Sequence, residues 1–162
     1  MTKAFTEHQA LGVPAVLVQG DCSTNNLMVR RNEDGSESLV AVIDWQVAHA
    51  GCMAEDLSRL MAFQFSVETR RNHTVDVLAH YHKTLCDNLG PKVQPPFTLE
   101  HVKRAYTGLF RFNTGTSAFL LPMAFSMFGA SVSEEAKKDM ISRVRELIVD
   151  LVKLQDENKD PF

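Results

Sequence analysis

No run of lysine and arginine occurs in these 162 residues, and the formal net charge is −3. That excludes the electrostatic footprint of a nucleic-acid binder. Cysteine is scarce: Cys22, Cys52 and Cys86 are odd in number and widely spaced. They form neither a disulfide framework nor a zinc knuckle, and reduced thiols in a cytoplasmic protein are expected. The polar start, Met1 to Gln9, has no secretory apolar core. The longest apolar stretch, Ser117 to Ala130, is interrupted by Pro122. It is shorter than the roughly 20 residues of a membrane span. It reads as a buried core helix, so no membrane partner is expected. Internal repeats and low-complexity segments are also missing.

Hydrophobic residues make up 44% and charged residues 23%, ordinary for a globular chain. The length predicts one domain, or one lobe of a larger one. The first third reads as β-rich and the rest as helical. Strands are predicted at Pro14 to Gln19, Leu27 to Arg30 and Ser38 to Ile43. Asp34-Gly35, between the last two, signals a hairpin because glycine tolerates the positive φ of the turn. After Gly51 the period becomes helical, with Met53, Leu57, Leu60 and Met61 on one face. A second helix is predicted from Val67 to Leu89, with Leu78, Tyr81, Leu85 and Leu89 on its inner stripe. Gly90-Pro91 stops it. Pro95-Pro96 marks a loop. Thr98 is the expected N-cap of a third helix, with Phe97 and Val102 as a hydrophobic staple. Its persistence through Asn113-Thr114-Gly115-Thr116 is left open. Ser131 to Glu134 has the pattern of a capping box for the last helix. The expected stripe there is Met140, Ile141, Val144, Leu147, Ile148, Leu151 and Leu154.

Two segments carry chemistry. One is Gly20-Asp21-Cys22-Ser23-Thr24-Asn25-Asn26-Leu27. The other is Ile43-Asp44-Trp45-Gln46, followed by Gly51-Cys52-Met53-Ala54-Glu55-Asp56-Leu57. An acid ends one strand at Asp21, an amide opens the next at Asn26, and a second acid, Asp44, ends the third. The hairpin can return Asp44 to the cavity faced by Asp21 and Asn26. Two carboxylates and an amide oxygen are hard ligands, suited to Mg²⁺ with phosphate oxygens. Such a set matches phosphoryl transfer. Between Gly12 and Ser58 the permanent cations are Arg30 and Arg31, so phosphates would approach with metal between.

These strings resemble the aminoglycoside-phosphotransferase and choline-kinase superfamily. They are most similar to its CHK kinase-like branch, the ecdysteroid-kinase-like proteins of invertebrates. The motifs cover Val16 to Met61. The resemblance implies a protein-kinase-like C-lobe of α+β class, with catalytic and metal loops in 16–61 and a helical bundle in 51–156. It implies Asp21 as the catalytic aspartate, the partner of the acceptor hydroxyl. It also implies Asn26 as a metal ligand, Asp44 as the principal metal ligand and Asp56 as a support for the loop backbone. Mg²⁺ and ATP are the implied cofactors. The implied acceptor is a small-molecule alcohol such as a steroid or an amino-alcohol.

Two positions depart from the family pattern. Gln19 stands where the family usually has His, and Gln can donate one hydrogen bond in its place. Upstream of Asp21 stand twenty residues with no Gly-rich loop, and their single lysine, Lys3, lies in no strand. The N-lobe is therefore expected to be absent. Losing its contacts would cost about tenfold in rate per 1.36 kcal/mol, so transfer by the isolated chain is expected to be very slow or absent. The alternatives are a non-catalytic, pseudokinase-type interaction module, with a protein partner over the surface the missing lobe leaves, and a fragment of a longer product. Trp45 reads as a packing residue. Cys22 reads as an unreactive neighbour of Asp21.

Overall fold

The computed structural model describes residues 2–128 and 132–156. In chain order the elements are α1 (Thr2–Ala10), β1 (Val16–Val18), a 3₁₀ turn (Thr24–Asn26), β2 (Leu27–Arg31), β3 (Glu37–Val42) and β4 (His49–Gly51). Four helices follow: α2 (Glu55–Phe63), α3 (Val67–Leu89), α4 (Leu99–Phe128) and α5 (Glu134–Asp156). The class is α+β: a mostly helical body with two small antiparallel strand pairs, compatible with a kinase-like C-lobe.

The β2–β3 hairpin follows from its turn. Gly35 has φ 81, and Asp34 Oδ1 accepts from the Ser36 amide at 2.9 Å. An Asx side chain that mimics a backbone turn, followed by glycine, closes the reversal. Pairing runs from Arg31↔Glu37 to Leu27↔Val42, with an irregularity between Met28 and Val29. The second strand pair has no counterpart among the sequence expectations: β1 joins β4 through Val16↔Gly51, Leu17↔Ala50 and Val18↔His49. The strand expected at Pro14 to Gln19 shortens to Val16–Val18, since pairing extends only as far as β4. The α1 helix was not expected either. Val13, just past its end, joins the core.

The helix α3 has the predicted ends. Ser66 Oγ accepts from the Thr69 amide at 3.1 Å, and Gly90 follows its last residue at φ 75. Thr98 caps α4: its Oγ1 accepts from the His101 amide, and its own amide donates to His101 Nδ1, each at 3.2 Å. Phe97 and Val102 are buried beside that cap. The helix then passes through Asn113-Thr114-Gly115-Thr116 unbroken. Asn113, Thr116 and Ser117 bond within or beneath the helix instead of opening it, while the buried Thr114 Oγ1 has no hydrogen-bond partner among the described residues. Thr116 Oγ1 and Ser117 Oγ donate to carbonyls four residues back at 2.9 and 2.7 Å. Asn113 Nδ2 donates to Ser58 Oγ of α2 at 2.9 Å.

Two expectations need correction. The stretch from Ser117 is not a buried core helix, because Phe119 and Met127 are largely exposed. The core uses the N-terminal half of α4 instead, through Val102, Ala105, Tyr106, Leu109 and Phe110. On α5 Leu147 is buried while Met140, Ile141 and Ile148 are exposed, so its inner stripe is narrower than the apolar pattern. The side chain of Leu154 lies outside the described set. Ser133 caps α5, its Oγ accepting from the Ala136 amide at 3.2 Å. Ser131 lies outside the described residues.

Candidate active site

The site is a braid of two loops. The first leaves β1 and carries Gln19, Gly20 and Asp21. The second leaves β3 and carries Asp44. The start of α2 ties the first loop down: Asp56 Oδ2 accepts from the Gln19 amide at 2.8 Å and Oδ1 from the Gly20 amide at 2.9 Å. A carboxylate that takes two successive backbone N–H groups fixes their direction. The turn needs glycine at 20. Its φ is 85, and a Cβ there would stand 2.7 Å from the Val47 carbonyl oxygen.

Gln19 joins the loops. Its Nε2 donates to the carbonyls of Ile43 at 3.0 Å and Asp44 at 2.8 Å. Its Oε1 accepts from the Asp21 amide at 2.8 Å. The expectation of one hydrogen bond from Gln19 is corrected to two donated and one accepted. An amide presents two N–H groups and an acceptor, and all are within reach here.

Asn26 closes the other side. It is buried in the 3₁₀ turn, and its Nδ2 donates to the Asp21 carbonyl at 2.9 Å and to Asp21 Oδ2 at 3.2 Å. The hairpin brings Asp44 back beside it, since the Ile43 amide donates to the Asn26 carbonyl at 2.9 Å. Asp44 is exposed. Its φ of 57 is the one positive φ outside glycine among the described residues. Backbone held in that region at a strand end is a feature of functional loops, and Gln19 is the side chain that holds it.

Arg59 is a site residue that the sequence reading missed. Its Nη2 donates to Asp21 Oδ1 at 2.8 Å, an ion pair open to water at both ends. The signal was the helical register of α2: residues 55, 56 and 59 share a face. His49 also braces the braid. Its Nδ1 lies 3.0 Å from the Val47 carbonyl and its Nε2 3.3 Å from Glu55 Oε1. The Val47 carbonyl is the main cause that raises the His49 pKa. Burial is the main cause that raises Glu55. Cys22 is half-buried beside Asp21; burial, then Asp56, raise its thiol pKa, so at neutral pH it is protonated and unreactive. Trp45 is corrected from a packing residue to a half-exposed one, its Nε1 donating to the Val42 carbonyl at 2.8 Å.

The donor chemistry fits a hard divalent cation. Asn26 spends its nitrogen on Asp21, which leaves Oδ1 as the atom it could offer a cation beside the Asp21 carboxylate. No group of three or more His, Cys, Asp or Glu poised for metal occurs among the described residues.

A loop carrying Asp21, a returning hairpin and a second acidic loop, mounted on a helical body, are compatible with a kinase-like domain. The chain matches, over residues 1–159, the DUF1679 family, described as "Uncharacterized oxidoreductase dhs-27"; it belongs to that family. It is 27% identical over 154 residues to the uncharacterized kinase-like protein D1044.1 of Caenorhabditis elegans, covering 90% of this chain and 39% of that protein. It is 33% identical over 106 residues to the uncharacterized oxidoreductase dhs-27 of the same organism, covering 61% of this chain and 13% of that protein. The chain thus spans less than half the length of either relative. No solved structure matches it. No helix among the described residues is long and apolar enough to cross a membrane.

Proposed function

We propose that this chain is the phosphoryl-transfer lobe of an ATP-dependent kinase that acts on a hydroxyl of a small molecule. One observation carries the reading: Gln19 joins the Asp21 loop to the Asp44 loop, with Asn26 bonded to both. Asp44 and Asn26 would hold Mg²⁺, which supplies charge neutralisation to phosphate oxygens. Asp21 accepts a hydrogen bond from the acceptor hydroxyl and takes its proton. The hydroxyl oxygen bonds to the terminal phosphorus as the bridging phosphoanhydride bond breaks, and ADP leaves with those electrons.

A cavity of about 210 Å³ supports a small acceptor. Ala62, Phe63, Ser117, Leu120, Met140 and Leu147 line it. It is smaller than the roughly 300–1,000 Å³ of drug-sized sites, so it would take the apolar part of an acceptor. Phe63, one wall, also stacks under Arg59, the partner of Asp21.

The oxidoreductase name is that of the family description and of one relative, of which this chain covers 13%. No two of the eight glycines here stand one residue apart, so a G-x-G-x-x-G dinucleotide fingerprint is missing from this chain. Kinase chemistry is the better supported reading.

A thermal-shift measurement tests it. Mg·ATP raises the melting temperature of the wild-type chain and leaves that of Asp44→Ala unchanged. Equal behaviour of the two would discard the assignment. A second reading, a binding module without transfer chemistry, draws on the exposed apolar residues Leu17, Met28, Val29, Leu39 and Val40 of the strands. It is the reading that equal melting behaviour would favour.

A further inference from the structure

The candidate site is acidic, with Asp21, Asp44 and Asp56 on or beneath two adjacent loops. Phosphate needs a cation there as well as a metal. The two arginines nearest in sequence sit on the hairpin, and Arg31 pairs across it with Glu37 at 3.5 Å. Arg59 instead faces the site from α2, held by two contacts. One is the 2.8 Å bond to Asp21 Oδ1. The other is the Phe63 ring, whose centroid lies 5.7 Å from the guanidinium carbon. The ion pair is 42% and 43% exposed at its two side chains, so water competes for it and it is easily exchanged. The ring contact lies outside that exchange and keeps the guanidinium at the site. A guanidinium has five N–H donors in a fork that matches phosphate, and Asp21 engages one of its nitrogens.

We propose that Arg59 is the phosphate-contacting residue of this site and that Asp21 is its resting counter-ion. An incoming phosphoryl group takes the guanidinium, and Asp21 Oδ1 is freed to meet the acceptor hydroxyl. The proposal rests on the kinase reading and assigns a residue that the motif itself does not contain.

Isothermal titration of the full chain with two probes, Mn²⁺ alone and Mg·ATP, tests it. Arg59→Gln removes a positive charge from a cation site and a donor from a phosphate site. It is expected to tighten Mn²⁺ about threefold and to weaken Mg·ATP about tenfold. Arg59→Lys keeps the charge without the fork, so Mn²⁺ stays within about twofold of wild type while Mg·ATP weakens less than in the glutamine variant. Opposed shifts are something a merely structural ion pair cannot produce. Constants that do not change, or that move together, overturn the proposal. Loss of both ligands in Asp44→Ala with no effect of Arg59→Gln keeps the kinase reading and removes Arg59. A wild-type chain that binds neither probe removes both. Should Arg59→Gln fail to fold, the lysine variant decides: weaker Mg·ATP with Mn²⁺ unchanged supports the proposal, and unchanged Mg·ATP overturns it.

Discussion

Gln19 has one amide group and uses all of it. Both N–H groups go to carbonyls of the Asp44 loop, and its oxygen takes the Asp21 amide. The side chain is buried, so truncating it strands polar backbone atoms out of water. Gln19→Leu keeps the volume and loses every bond. Stranded buried groups cost about 1–3 kcal/mol each, with some relaxation, and about 2 kcal/mol corresponds to about 6 °C at this chain length. A melting temperature of Gln19→Leu lowered by about that amount, with the Mg·ATP shift gone, is the expected outcome. An unchanged ligand shift would mean that the two loops hold their relation without it. The sequence identified position 19 as a brace but undercounted its bonds, because the number depends on which carbonyls lie within reach. Arg59 escaped notice for the same reason: a residue 38 positions from Asp21 is adjacent only after α2 has packed.

At the scale of elements, local signals set the helix ends. Ser66, Gly90 and Thr98 act where the capping rules put them. Signals failed where tertiary contacts outweigh propensity. Asn113 and Thr116 are poor helix formers, yet the bond from Asn113 to Ser58 beneath α4 rewards the helical state. Two long helices are joined by a network that only the fold assembles. Asp150 of α5 accepts from Arg70 at 2.5 Å and from Arg71 at 2.6 Å, both on α3. Arg70 is almost fully buried, and its guanidinium lies over the Phe110 ring of α4 at 5.7 Å. Asp150→Ala would leave that charge buried without its partner, at a cost of about 3–5 kcal/mol. Chemical denaturation should register a loss of that size, while an exposed-pair variant such as Asp139→Ala stays within about 0.5 kcal/mol of wild type.

At the scale of the whole molecule, β1 and β4 close the base of the site and set His49 against Gly20 and Gly51. This arrangement makes stability respond to pH. Folding favours the His49 imidazolium, chiefly through Nδ1–H donated to the Val47 carbonyl. Its folded pKa lies above the ordinary 6.5. The contribution is therefore full below pH 6.5 and lost as pH rises through the folded value. Glu55 has the same sign. Burial raises it above the ordinary 4.5, so its neutral form is favoured in the fold and stability declines as it ionises. The melting temperature should fall as pH rises above 6.5 and through the folded His49 value, and His49→Asn should flatten the slope. A slope that survives the substitution would place the titration elsewhere. Spacing and side-chain chemistry alone determined the hairpin, the caps and the order of Asp21, Asn26 and Asp44, because these are short-range properties of the chain. Packing decided which apolar faces are buried, that Gln19 spans two loops, and that Arg59 meets Asp21. Those depend on contacts between residues far apart in the chain, and a carboxylate finds such partners only once the backbone around it is fixed.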